Sequence, residues 1–153
     1  GGALPIDTPE AERSFELGKA VTLRGGDAAT VIAVGPVVPE ALRAADLLTE
    51  KGGAVRVLNM HTIKPIDSEA ILRAARETPL LITLEEHTVI GGLGGAVAEV
   101  LADAGAGTRL KRLGLQDVFA VMSGSREDFR KHLGICAEAV VEEVLKAGPL
   151  AGC

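Results

Sequence analysis

Two clusters of side chains carry whatever chemistry this sequence offers. His61 and Lys64 follow the apolar run Val55 to Leu58, and Glu85, Glu86 and His87 follow directly on the run Leu80 to Leu84. A histidine beside a carboxylate is the pairing that general acid–base catalysis uses, provided the two are held within hydrogen-bonding reach. Gly91 and Gly92 come next, with Gly94 and Gly95 close behind. Glycines at a helix start let a ligand or another backbone approach, and the free N–H groups there can receive an anion. The same residues have a plainer reading: Glu86 and His87 make interdomain hydrogen bonds, Lys64 is solvated and the glycines permit close packing. The spacing favours the plainer one.

A GxGxxG fingerprint counted from Gly92 would need Gly or Ala where Val97 stands, and no Walker pattern GxxxxGK[ST] occurs. His132 and Cys136 have a spacing that can clip a metal on one helix, but Gly134 between them should break that helix. Ser123 lies in Val121-Met122-Ser123-Gly124-Ser125, which is not a GxSxG elbow. Arg109, Lys111 and Arg112 form a basic cluster that reads as protection of an edge strand, or else as a docking surface.

The elements that must position these residues are legible from periodicity. Leu80 to Leu84 is a short apolar run, expected to be a buried strand that ends at Glu85-Glu86. Leu93, Ala96, Val97, Val100, Leu101 and Ala104 then mark one stripe of a helix. Upstream, Lys19 to Arg24 alternates as an edge strand does, and Gly25-Gly26-Asp27 predicts a hairpin into the continuous apolar run Ala29 to Val34. Val38, Ala41, Leu42, Ala45 and Leu48 predict a helix stopped by Gly52-Gly53, and Ala54 to Leu58 predicts the next strand. Asp67 or Ser68 caps a helix carrying Ile71, Leu72 and Ala75. Arg109 to Leu113 reads as a last strand, and Ser125 with Asp128 fits a capping box ahead of Phe129 and Leu133. Val140, Val141, Val144 and Leu145 mark a final helix.

Strands alternating with helices imply parallel pairing and right-handed crossovers. The expected fold class is therefore α/β, a three-layer doubly wound sheet of about five strands, mostly parallel with one antiparallel edge strand. In such a sheet the loops after the strands share one edge, where ligands and partners dock. His61, Lys64, Glu85, Glu86 and His87 are expected along it.

The 153 residues make one domain. Residues 1–14, with Pro5, Pro9 and acidic residues but no apolar period, read as a linker from a preceding domain, and residues 15–150 as the α/β domain. With no Trp or Tyr, three Phe and a net charge of −5, the chain is a poor fit to nucleic acid, since both base stacking and phosphate neutralisation lack the residues they need. Two cysteines, Cys136 and Cys153, are too few for a disulfide framework and imply a reducing, cytoplasmic setting. No apolar run has the length of a membrane span.

The string from Asn59 to Asp67, NMHTIKPID, followed by Glu85 to Gly94, EEHTVIGGLG, and by Ala96-Val97-Ala98-Glu99, resembles the C-terminal domain of transketolase-type thiamine diphosphate enzymes. It is most similar to the split form, in which transketolase is made as two sections. Phe15 to Asp27, Gly35, Gly114, Asp117-Val118-Phe119 and Ser123-Gly124 fit the same pattern, so the resemblance covers nearly the whole chain. The resemblance implies a domain that supports two-carbon ketol transfer between sugar phosphates without performing it. Thiamine diphosphate and Mg²⁺ would belong to the complete enzyme and none to this chain alone. Its partners would be the pyrimidine-binding and diphosphate-binding domains, in a homodimer or an α2β2 assembly. Gly26-Asp27-Ala28 with Asn59 downstream does not reproduce the family's GDG…N motif, since the third Gly is missing and the segment precedes a strand. Two alternatives stand within the superfamily, 1-deoxyxylulose-5-phosphate synthase and the β subunit of a 2-oxoacid dehydrogenase. A third, of another class, is a small-ligand regulatory module. No catalytic residue is assigned. His61, Lys64, Glu85, Glu86, His87, Gly91 and Gly92 are the interface or ligand candidates.

Overall fold

The computed structural model describes residues 15–116 and 125–148. The expected linker over residues 1–14, the string Asp117-Val118-Phe119, Ser123 and Cys153 lie outside the described residues. Five strands form one sheet: β1 (Val21–Arg24), β2 (Ala29–Ala33), β3 (Val55–Asn59), β4 (Leu80–Thr88) and β5 (Arg109–Leu115). Their spatial order is β1-β3-β2-β4-β5, parallel except for β1, which runs antiparallel to β3. Five α-helices accompany them: α1 (Val38–Thr49), α2 (Ser68–Glu77), α3 (Leu93–Asp103), α4 (Arg126–Leu133) and α5 (Ala137–Ala147). This is the mixed three-layer α/β sheet that the element pattern predicts.

Side chains of the sheet alternate between two cores, as the pleat requires. On one face Val31, Ala33, Val57, Ile82 and Leu84 pack with Ala41, Ala45 and Leu48 of α1 and with Val140 and Val144 of α5. On the other, Ile32, Leu58 and Leu81 meet Ile71 and Ala74 of α2 and Leu93, Val97 and Leu101 of α3. Each of these large side chains contributes roughly 1.5–3 kcal/mol on burial. Val100 is only half-buried and Ala104 is exposed at the end of α3, so the apolar stripe is narrower than its sequence period implies.

Two local expectations are corrected. β1 does not form a hairpin with β2. Strand β2 is buried along its whole length and takes a parallel partner on each side, so the half-exposed β1 is left the outer place against β3. The turn between them is held to the start of β3, where the N–H groups of Asp27 and Ala28 both donate to Ala54 O at 3.0 Å. Strand β4 also runs past Glu85-Glu86 to Thr88, and its far end rejoins β5 through Thr88 and Leu115 after an irregularity in register.

The caps follow the sequence closely. Asp67 accepts from Ala70 N at 3.0 Å with one carboxylate oxygen and from Ala20 N at 2.8 Å with the other, joining α2 to the approach of β1. Ser125 and Asp128 form a complete capping box, and Gly134, at φ +68°, ends α4 before Cys136 starts α5. No helix among the described residues is long and apolar enough to cross a membrane.

Candidate functional site

The strand order places a topological switch beside β2, with β3 on one side and β4 on the other. In open parallel sheets, ligands bind in the crevice outside the carboxyl ends of the strands at such a point. Here the flanking segments are a turn of 3-10 helix, Gly35–Val37, after β2 and, after β4, residues 89–92, with Glu86 on the last stretch of that strand. Glu86 follows Leu84 by two residues, and its side chain lies on the same face of the sheet, toward α4. Arg130 of α4 donates from Nε and Nη2 to Glu86 Oε2 at 3.0 and 2.6 Å, and from Nη2 to Pro36 O at 2.9 Å. Arg126 adds a bond from Nε to Glu86 Oε1 at 2.8 Å. Burial pushes the Glu86 carboxyl up, but the hydrogen bonds and charges of Arg126 and Arg130 outweigh that and hold it below the usual carboxylate range. The crevice that the topology opens is thus bridged by the chain's own ion pair.

Glu85 points the other way. It is 1% exposed, and its carboxylate accepts from Leu93 N at 2.7 Å and Gly94 N at 2.8 Å. The start of α3, where a phosphate would otherwise find free N–H groups, is occupied by an anion already built into the sequence. The surrounding glycines are required for space. A Cβ on Gly92 would overlap the Glu85 carboxylate and stand 2.7 Å from Thr88 O. One on Gly114 would come 2.9 Å from His87 O and 3.0 Å from Glu85 Cγ. Gly91 differs, being exposed in open space at φ +76°, where only the backbone conformation calls for glycine.

His87 is exposed, and its Nδ1–H donates to Thr88 O at 3.0 Å. His61 and Lys64 sit at the end of β3. His61 Nδ1 is 2.9 Å from Thr62 Oγ1, its ring stacks at 4.3 Å on Phe15, and its buried Nε2 has no hydrogen-bond partner among the described residues. Lys64 is exposed and makes no ion pair among them. Strand β2 separates the two clusters, and no hydrogen bond or ion pair among the described residues joins His61 or Lys64 to Glu85, Glu86 or His87. The acid–base pairing that the sequence permits is not assembled.

The diphosphate and metal of the resembled enzymes do not fit these residues. Glu85 holds the helix N–H groups that an anion would use, and Glu86 is engaged by two arginines. Arg126 and Arg130 escaped the sequence reading. Their i, i+4 spacing directly behind a capping box was the available signal that they share one helix face.

The same edge is also where apolar side chains are left uncovered. Phe15 is 66% exposed, Leu17 70%, Ile63 37% and Ile90 66%. The first two precede β1, whose antiparallel course pairs Val21 with Asn59 and so begins beside the end of β3.

Comparison with known proteins agrees with this architecture. Residues 18–140 match the family described as transketolase, C-terminal domain. A protein of Methanocaldococcus jannaschii named for the C-terminal section of transketolase is 42% identical over 137 residues, covering 90% of this chain and 42% of that protein. A 1-deoxy-D-xylulose-5-phosphate synthase of Geobacter sulfurreducens is 43% identical over 141 residues, covering 92% of this chain and 22% of that one. A solved structure described as a split-gene transketolase in an inactive β4 tetramer superposes with a TM-score of 0.81 at 40% identity, covering 89% of this chain and 44% of that chain. The chain thus spans less than half the length of the curated relatives it matches.

Proposed function

From the premise that this chain belongs to the transketolase C-terminal domain family, we propose that it is the framework and interface domain of a transketolase-like enzyme. Two-carbon ketol transfer between sugar phosphates would then be the activity of the complete enzyme, with thiamine diphosphate and Mg²⁺ held by its pyrimidine-binding and diphosphate-binding domains. This domain packs on the pyrimidine-binding domain and on a symmetry mate, in a cytoplasmic homodimer or α2β2 assembly, and contributes no reacting group. Residues 15–150 are the domain and residues 1–14 its tether.

One observation carries this reading. The crevice where the fold class takes ligands is closed by Arg130, Glu86 and the Pro36 carbonyl, and the helix start beside it by Glu85. What that edge offers instead is Phe15, Leu17, Ile63 and Ile90, with His61, Lys64, His87 and Gly91 among them. Exposed apolar side chains grouped along one edge suit a protein neighbour better than a sugar phosphate. Titration calorimetry of the chain with thiamine diphosphate and Mg²⁺ tests it: no saturable heat is expected, and micromolar binding would overturn the proposal.

A second reading within the superfamily follows from the synthase relative, which at 43% identity is as similar to this chain as the transketolase relative at 42%. There the complete enzyme would form 1-deoxyxylulose 5-phosphate, and the role of this domain would be the same. Assays of the complete enzyme with pyruvate and glyceraldehyde 3-phosphate, against assays with sugar-phosphate pairs, separate the two.

A further inference from the structure

The opposite edge of the sheet carries a feature that the framework role leaves unused. Among the described residues there are nine arginines, and six of them have protein partners through their guanidinium groups: Arg24, Arg43, Arg56, Arg112, Arg126 and Arg130. Arg73, Arg76 and Arg109 have none among the described residues. Two of these three, Arg76 and Arg109, line one hollow of about 510 Å³ between the end of α2 and the start of β5, together with Thr78, Pro79, Gly107 and Thr108. A second hollow of about 340 Å³ continues from it through Ala75, Arg76, Gly107 and Thr108 onto an apolar floor of Leu72, Ala104 and Ala106.

The negative charge that would normally balance these guanidiniums is already engaged. Glu77, the carboxylate on the rim, is paired with Arg56 at 2.7 Å. Two of the carbonyls in the last turn of α2 also have partners, since Ala74 O accepts from the N–H and the hydroxyl of Thr78 and Ala75 O accepts from Thr108 Oγ1 at 2.7 Å. The partial negative charge of the helix end is therefore damped, and the hollow is left net positive in a chain whose overall charge is −5. Two guanidiniums without a protein partner among the described residues are the donor set that binds an oxyanion.

We propose that this hollow is a binding site for a small phosphate monoester, with Arg76 and Arg109 holding the phosphate and the apolar floor taking the carbon skeleton. It lies at the amino ends of β4 and β5, far from the edge assigned to the neighbouring domain, so it would act as an effector site and does not depend on that assignment. Titration of inorganic phosphate and of glycerol 3-phosphate into the ¹⁵N-labelled chain, followed by amide shifts, tests it. Saturable shifts at Gly107, Thr108 and Arg109 are expected, with a Kd of about 1 mM or tighter for the monoester. Arg76→Gln and Arg109→Gln should each weaken binding at least tenfold, while Arg73→Gln, which removes the same charge from the same helix outside the hollow, should change it less than threefold. Shifts that do not saturate, or equal weakening by all three substitutions, would reduce the effect to general charge attraction and overturn the site.

Discussion

The ends of β4 and β3 lie on one edge of one sheet and are built on opposite plans. Past Leu84, β4 meets its polar groups internally: Glu85 turns to one layer and caps α3, Glu86 turns to the other and holds α4 through Arg126 and Arg130. Past Asn59, β3 leaves the buried His61 Nε2 without a partner among the described residues, with the exposed Phe15 against the His61 ring and Ile63 and Leu17 also exposed. Adjacent carboxylates pointing to opposite faces are the period of a strand used twice. The contrast teaches that a cluster of ionisable residues after a strand can be architecture, and that the groups left unsatisfied are where the proposed neighbouring domain would attach. Substitutions at the β4 end should therefore act on stability, and those at the β3 end on association.

The largest effect is expected from Glu85→Ala. It leaves the buried N–H groups of Leu93 and Gly94 without acceptors, which costs about 2–6 kcal/mol for the two, measured by urea unfolding. A loss under about 1 kcal/mol would mean that the cap contributes nothing, and the contrast with β3 would fail. Gly92→Ala comes next, at about 1–3 kcal/mol, because the added methyl overlaps the Glu85 carboxylate and presses on Thr88 O. The backbone at Gly92 is extended, with φ −98° and ψ −158°, so any residue can adopt it and the penalty is one of space. In the double variant the two losses should fall short of additive, since Glu85→Ala removes one of the two groups the methyl strikes.

Arg130→Met should cost about 1–3 kcal/mol, since Glu86 keeps only Arg126. Its pH dependence is the sharper test. The folded carboxyl of Glu86 titrates below its unfolded value, so its contribution is complete above the ordinary carboxylate range and disappears as pH falls through the folded value. The Tm gap between the native chain and Glu86→Gln should be constant from about pH 7 to pH 5 and narrow as acid protonates the Glu86 carboxyl. The Glu138 carboxyl, which the hydrogen bond from Arg43 holds down at about 2, should keep contributing to lower pH than Glu86 does. A gap that does not change at all on acidification would show that the Glu86 charge contributes nothing and that its side chain acts by packing alone.

Most of the fold was legible because its signals are local. The apolar run Ala29 to Val34, the periodic stripe from Val38 to Leu48, and the caps at Asp67 and Ser125 each record a short-range constraint. The place of β1 was not legible. Gly25-Gly26-Asp27 has the composition of a hairpin turn, and only the competition of β3 and β4 for the two sides of β2 decides that β1 goes outside. The candidate site was half visible for the same reason. Residue type singled out Glu85, Glu86 and Gly92, yet Glu86's partners lie 40 and 44 positions away on α4, and no spacing rule spans that distance.

The smallest change in stability, and the prediction that separates the two strand ends, concerns Leu17 and Ile63. Both side chains are exposed, so Leu17→Asp and Ile63→Asp should each alter unfolding free energy by less than about 0.5 kcal/mol. If this edge receives a neighbouring domain, the same charges are buried without partners in the assembled enzyme, and association should weaken at least tenfold, about 1.4 kcal/mol. Leu145→Asp supplies the control: Leu145 is also exposed, but it lies on α5, and its substitution should leave association as it was. Sedimentation of the complete enzyme across a dilution series reads all three. Equal dissociation by the Leu145 variant would make the effect one of surface charge, whereas selective loss at Leu17 and Ile63 places the contact at the β3 end and leaves the β4 end as the part that holds the domain together.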